Sequence, residues 1–150
     1  MAFQGVAPIA FESVSAVTAT NTVELGTQRT FNGEEYIYVY NDGGEQIAPG
    51  RGTTVSALSG YSVTISSTSG TQGFGFVKHA TLTTATYGWV MTRGFLDSLT
   101  NGMADTAIAA GDAIGLAADG GVAADGGVTV GKAMSATGSA GTLSAFISVF

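Results

Sequence analysis

The residue types that could do chemistry are few, and they begin with His79, the only histidine and so the one side chain whose ordinary pKa lies near neutrality. A hydrolytic triad would need a nucleophile and a carboxylate beside it. His79 lies in the strand-like run Phe76-Val77-Lys78-His79-Ala80, on the opposite parity to Phe74 and Phe76, and no Gly-x-Ser-x-Gly elbow accompanies it. It reads as a surface or interface histidine. Paired carboxylates could do glycosidase work at separations of about 5–10 Å, but Glu34-Glu35, Asp112, Asp119 and Asp125 all sit beside glycines that mark turns. Asp119 and Asp125 could contribute to a calcium site, yet neither the calcium-binding nonapeptide nor the EF-hand spacing is present. There are no cysteines, which removes disulfides, thiolate catalysis and cysteine-ligated zinc. The glycine-rich segments lack the Lys-Ser/Thr of a phosphate loop, and no Gly-x-Gly-x-x-Gly opens a helix. The expectation is no catalytic residue, no cofactor, no metal and no enzyme.

Aromatic residues offer recognition instead of reaction. Tyr36, Tyr38 and Tyr40 fall in one row of Glu35-Tyr36-Ile37-Tyr38-Val39-Tyr40. They could form a platform for stacking sugars, a contact between subunits, or a cross-strand ladder covered by the chain itself. Trp89, close to Tyr87, reads chiefly as core.

Composition narrows the class further. At 150 residues the chain is long enough for one domain with one core, and 45% of it is apolar, so it folds. Only 11% of residues are charged, so the surface is built largely from Ser, Thr, Gly and Ala, a surface that tolerates being covered by neighbours. The net charge is −6, and the basic residues Arg29, Arg51, Lys78, Arg93 and Lys132 are scattered singly, which excludes a phosphate-tracking stripe and with it nucleic acid as a partner. No apolar run approaches the roughly 18 residues of a membrane span, and Met1-Ala2-Phe3-Gln4-Gly5-Val6 lacks a secretory pattern, so synthesis in a cytoplasm without membrane insertion is expected.

The elements that must position these side chains are strands. Strict alternation over Glu35–Tyr40 is the clearest of them, with the tyrosines on one face and Ile37 and Val39 on the other. Asn41-Asp42-Gly43-Gly44 predicts a tight turn with positive φ, and Ile47-Ala48-Pro49-Gly50 a second reversal before Thr53-Thr54-Val55; turns this close predict antiparallel neighbours. Tyr61–Ser66 alternates again, and Phe74-Gly75-Phe76 and Tyr87-Gly88-Trp89 place glycines where a bulge or close packing is expected. Leu96–Ala110 spaces its apolar residues poorly for a helix and is interrupted by Asn101-Gly102, so a loop with at most a short helical turn is expected. A tandem hexapeptide, Ala117–Val122 and Ala123–Val128, predicts two Asp-Gly-Gly turns flanking a very short strand; two copies are too few for a solenoid. Val128-Thr129-Val130 and Leu143–Phe150 close the sheet. The predicted fold is therefore all-β, a compact antiparallel β-sandwich or β-barrel with little or no helix. An extended N-terminal arm or edge segment over 1–25 precedes a single β domain over 26–150.

The sequence also resembles the small virion structural proteins of tailed bacteriophages, and its last third resembles their capsid decoration and cement proteins. The likeness runs through Leu25-Gly26-Thr27, Gly33-Glu34-Glu35-Tyr36-Ile37-Tyr38-Val39, Ile47-Ala48-Pro49-Gly50, Tyr87-Gly88-Trp89-Val90 and Arg93-Gly94. In the last third it is carried by Ala110-Gly111-Asp112-Ala113-Ile114, an Asp-Gly turn before a short Val strand, Val130-Gly131-Lys132-Ala133-Met134, and Gly141-Thr142. The resemblance implies a virion protein on the capsid exterior, bound to the major capsid protein, assembled as a homodimer or homotrimer, and stabilising the shell. On that reading Phe3, Ile9 and Phe11 of the arm contact the capsid, and Tyr36, Tyr38, Tyr40 and the loop at Asn101 form the subunit interface. The alternative is a glycan-binding or structural module of a phage fibre, spike or tail, for which an exposed tyrosine platform is the discriminating feature.

Overall fold

A computed structural model describes residues 13–56, 60–65, 72–100, 107–124, 127–138 and 141–149. Phe3, Ile9, Phe11 and Asn101 lie outside them. The described chain is all β. Its strands are β1 Gln28–Phe31, β2 Glu34–Asn41, β3 Gly52–Val55, β4 Ser62–Ile65, β5 Gly75–Phe76, β6 Thr86–Thr100, β7 Ala113–Leu116, β8 Val122–Ala124, β9 Thr129–Ala133 and β10 Thr142–Ser148. Among the described residues the only helical segment is the 3₁₀ turn Ala118–Gly120.

The pairings fall into two parts that share one strand. β2 pairs antiparallel with β6, β6 with β5, β5 with β3 and β3 with β4, and β4 returns to β2 in parallel, so five strands close into a small ring. Beyond the ring the sheet continues in the order β6, β10, β9, β7, β8, all antiparallel. β6 makes both possible because it is 15 residues long. Its first half, Thr86–Arg93, faces β2, and its second half, Arg93–Thr100, faces β10.

The handover between halves is marked by backbone irregularity. Glu35 pairs with Arg93 but Tyr36 with Met91, so Thr92 is an extra residue, and Gly94 follows with φ +146. A Cβ on Gly94 would also fall 2.8 Å from Glu34 Cγ and 3.0 Å from Met91 Sδ. A bulge of this kind bends a strand and raises its twist, which is how one strand can serve two sheets.

Alternation on β2 sorts the core into two clusters. Ile37 and Val39 pack with Ile47, Val63, Phe74, Val77, Leu82 and Val90, all from the ring strands and their connections, so this cluster fills the ring. Tyr36 and Tyr38 face the other way, joining Trp89, Met91, Leu96 and Leu99 of β6 and the inward residues of β7–β10, including Ile114, Leu116, Leu143 and Ile147. Residues 13–25 lie against the same fold: Val14 is in the second cluster, Val23 and Leu25 pack on it, and Thr18 and Tyr87 exchange backbone hydrogen bonds of 3.0 and 2.8 Å.

Several expectations meet the structure directly. The Ile47–Gly50 reversal is present, with Arg51 N donating to Ala48 O at 3.1 Å and Gly50 at φ +83. The glycines between aromatics pack closely, since a Cβ would meet Val90 Cγ2 at 2.8 Å from Gly75 and Leu82 Cδ1 at 2.8 Å from Gly88. The first Asp-Gly-Gly makes the β7–β8 turn, with Asp119 at φ 55, and the expected short strand is β8. The second falls partly outside the described residues.

Three expectations are corrected. Leu96–Thr100 is strand, not loop: Leu143 and Ala145 of β10 oppose Leu99 and Leu96, so an extra residue on β6 puts two buried leucines three apart and hides the period of two. Gly43 and Gly44 do not carry the positive φ predicted for a tight turn. Instead Asn41, fully buried, donates from Nδ2 to Glu45 O at 2.9 Å and Leu82 O at 3.0 Å and accepts from Gly43 N at 3.1 Å. Finally, the turns do not make every neighbour antiparallel, because the chain after Asn41 leaves the sheet and β4, not β3, comes beside β2, in parallel.

Gly94→Ala places a side chain at a φ that L-residues rarely adopt and against Glu34. The variant should lose about 1–3 kcal/mol of unfolding free energy, read as a lower urea midpoint, whereas Gly44→Ala, where nothing lies within 4 Å of the added carbon, should leave the midpoint nearly unchanged.

Candidate functional site

The most organised polar group surrounds Tyr36, and three local features assemble it. Asn32 and Gly33, at φ 51 and 78, form a tight hairpin between β1 and β2 that sets Glu34 at the start of β2. Period-two alternation then puts Glu34 and Tyr36 on the same side. Phe76 of β5 and Tyr36 of β2 both oppose Met91 of β6, so Lys78 and His79, just beyond β5, arrive beside Glu34 and Tyr36.

The contacts form a chain. Tyr36 OH donates to Glu34 Oε2 at 2.6 Å and lies 3.0 Å from His79 Nε2. Because the phenol proton is given to Glu34, the imidazole must be the donor in the second bond. The Tyr36 and His79 rings stack, with centroids 5.9 Å apart. Lys78 Nζ is ion-paired to Glu34 Oε1 and donates to Phe95 O at 2.9 Å. Four side chains thus tie the start of β2 and the segment after β5 to β6 one residue past the Gly94 kink.

This arrangement holds the fold together and has little left over for catalysis. Both Glu34 oxygens are occupied, and among the described residues the hydroxyl that touches His79 is that of Tyr36, whose proton is given to Glu34. Burial, and then the bond to Glu34, push the Tyr36 phenol well above its ordinary pKa, so it stays protonated. Among the described residues no three His, Asp or Glu side chains are placed to hold a metal ion. Asp119 is exposed on its turn, and Asp125 lies outside the described residues. A cavity of about 440 Å³ runs beside the cluster, lined by Gln28, Arg29, Thr30, Glu35, Tyr36, Ile37 and Thr92. Its one guanidinium is 6.0 Å from the centre of the Trp89 ring, a cation–π distance.

The tyrosine row is a ladder inside the chain. Tyr36 and Tyr38 are 1% and 0% exposed, and neither has ring surface with which to meet a sugar or a second subunit. Tyr38 packs against Trp89 with ring centroids 5.0 Å apart, and its hydroxyl lies 3.1 Å from Thr22 Oγ1 and 3.4 Å from Thr18 Oγ1 of the lead segment. Tyr40 is half-buried against Tyr87, 4.7 Å between centroids. Trp89 is core, as expected, although its indole N–H has no hydrogen-bond partner among the described residues. Asn101 and the arm residues Phe3, Ile9 and Phe11 are outside the described residues. Sequence reasoning missed the Glu34–Lys78 pair and strand β1, although Asn32-Gly33 is a strong hairpin signal.

No protein-family model matches this sequence, and no curated protein matches it. Among solved structures, the fold is similar to the N base of head fiber gp8.5 of bacteriophage phi29, with a TM-score of 0.51 at 15% identity. The match covers 76% of this chain and 95% of that one.

The cluster makes stability depend on pH. For His79, burial and then Lys78 lower the pKa from its ordinary value. A depressed base favours the neutral form on folding, so stability falls as pH drops through the unfolded-state value near 6.5. For Glu34, burial raises the pKa, but the bonds from Lys78 and Tyr36 and the neighbouring charges outweigh it, and the carboxyl ends below its ordinary value of 4.5. Its contribution is present above that value and is lost as the pH falls further. The melting temperature should therefore decline in two steps on acidification. His79→Gln should flatten the step below 6.5 and Glu34→Gln the step below 4.5, the latter also costing about 1–3 kcal/mol at neutral pH because Lys78 and Tyr36 lose a charged acceptor. Melts with identical pH profiles in both variants would show that the cluster does not carry the dependence.

Proposed function

We propose that this chain is a non-catalytic structural protein of a phage virion, a base-like module of an external appendage such as a head fibre. The observation that carries the reading is the fold: nearly the whole of a head-fibre N base superposes on this chain. The chemistry is consistent with it, since the best-organised polar cluster spends its donors and acceptors on the fold itself. A net charge of −6 without a basic stripe disfavours packaging or genome contact. Burial of Tyr36 and Tyr38 removes the platform on which a glycan-binding role depended.

A module of this kind works by geometry. It must recognise the exterior of the shell and present a rigid body outward, and the natural partner is the major capsid protein. The contact is assigned to the N-terminal segment, where Phe3, Ile9 and Phe11 supply apolar anchors of about 1.5–3 kcal/mol each when buried. Many such contacts on one particle reinforce one another when copies are joined. A cement role, in which the chain staples neighbouring capsid subunits, is the competing arrangement within the same class.

Two measurements separate these readings. In electron microscopy of virions labelled with antibody to this chain, the appendage reading expects label on structures projecting from the head; label spread evenly over the shell would favour cement, and absence from virions would reject both. Deleting residues 1–12 should abolish cosedimentation with purified capsids while leaving the β-sheet circular dichroism intact, and undiminished binding would remove the arm from the contact.

A further inference from the structure

The outer face of the β6–β10–β9–β7 sheet is unusual for a chain so economical with charge. Phe95 opposes Phe146, Phe146 opposes Lys132, and Lys132 opposes Ala113, so these four form one row across four strands. All are exposed, Phe95 by 45% and Phe146 by 42%, as is Met134, two residues along the chain from Lys132, by 59%. Single exposed apolar residues are ordinary, but a cross-strand phenylalanine pair is a patch of the kind that marks an interface.

The charges around the patch indicate what covers it. Four of the five basic side chains are engaged within the chain: Lys78 with Glu34, Arg93 with Glu35 at 3.4 Å, Arg51 on Asp119 O at 2.8 Å, and Arg29 over Trp89. Lys132 alone has no ion pair or hydrogen bond among the described residues, and it stands in the phenylalanine row. On the other side of the pair, Asp97 is exposed two residues along β6 from Phe95, its one described contact a 3.4 Å bond from Ser98. The patch thus has an apolar centre with one unpaired cation and one available carboxylate on two different arms. An isologous contact requires a surface complementary to itself, and this one qualifies. Strand spacing puts Lys132 about 10 Å from Phe95 across the sheet, and strand rise puts Asp97 about 7 Å from it along β6. A second sheet laid face to face with its strands crossing near 90°, one of the two common sheet packings, brings each Lys132 over the other copy's Asp97.

We infer that this face binds a second copy of the same chain, with Phe95 and Phe146 at the centre and Lys132 paired with Asp97 of the other copy. The assignment is independent of where in a virion the protein acts. It also relocates self-association from the tyrosine row to the opposite end of β6.

The test is sedimentation velocity of the full chain over a concentration series, at low and high salt. The wild-type chain should self-associate, and Phe146→Ser should raise the dissociation constant at least about tenfold while circular dichroism and the melting temperature stay near wild type. Asp97→Lys and Lys132→Asp should each weaken association by setting like charges opposite, and the double exchange should restore it. The double exchange keeps the apolar patch, so it remains decisive even if Phe146→Ser folds poorly. A wild-type chain that is monomeric throughout, association unchanged in Phe146→Ser, or a double exchange no better than the single ones would overturn the inference. So would a Phe146→Ser chain that keeps its oligomeric state but no longer cosediments with capsids, which would assign the face to the shell.

Discussion

Everything in this fold hangs on β6 having two sets of neighbours. A strand can pair on only two edges at any point, so a strand that closes a ring with β2 and β5 has no edge left there for a second sheet. β6 resolves the conflict along its length, pairing with β2 up to Arg93 and with β10 from Arg93 onward. The switch requires a bend, and the extra residue at Thr92 with Gly94 at positive φ supplies it. The polar cluster sits at the same place for the same reason. Lys78 reaches both Glu34 on β2 and the carbonyl of Phe95 just past the bend, fastening the two sides of the handover together.

The same constraint explains the division of the core. Where β2 and β6 run together, both faces are covered, one by the interior of the ring and the other by the second sheet and the lead segment. Tyrosines on such a strand need partners for their hydroxyls, and they find them: Tyr36 in Glu34 and His79, Tyr38 beside Thr18 and Thr22. Beyond the bend β6 has only one covered face, and Phe95 and Asp97 turn outward. The apolar exposure at that end is a consequence of the sheet running past the ring without another layer to cover it.

A body built this way suits a structural role. Its polar groups are committed to holding strands in register, and its exposed apolar face and low charge favour contact with other protein surfaces. The head-fibre N base to which it is similar has the same fold at 15% identity, which indicates that such a frame can be specified by quite different sequences.

How much could be read from the residues follows from the range of the interactions involved. The sequence by itself determined that the protein is all β, that β2 is an alternating strand with tyrosines on one face, and that Gly75 and Gly88 mark either a bulge or close packing. It also showed that no familiar catalytic or metal-binding motif is present. These are local properties, set by side-chain alternation, turn residues and the residue types available. Only the tertiary structure decided that the tyrosine face is interior, because alternation separates two faces without saying which is covered, and here both are. It alone revealed β6 beyond Leu96, where a bulge against β10 breaks the period of two, and the parallel pairing of β2 with β4, which no turn between them encodes. The Glu34–Tyr36–Lys78–His79 cluster likewise depends on two segments more than forty residues apart meeting across β6. That meeting is fixed by register in three strands at once, a long-range property that no window of sequence contains.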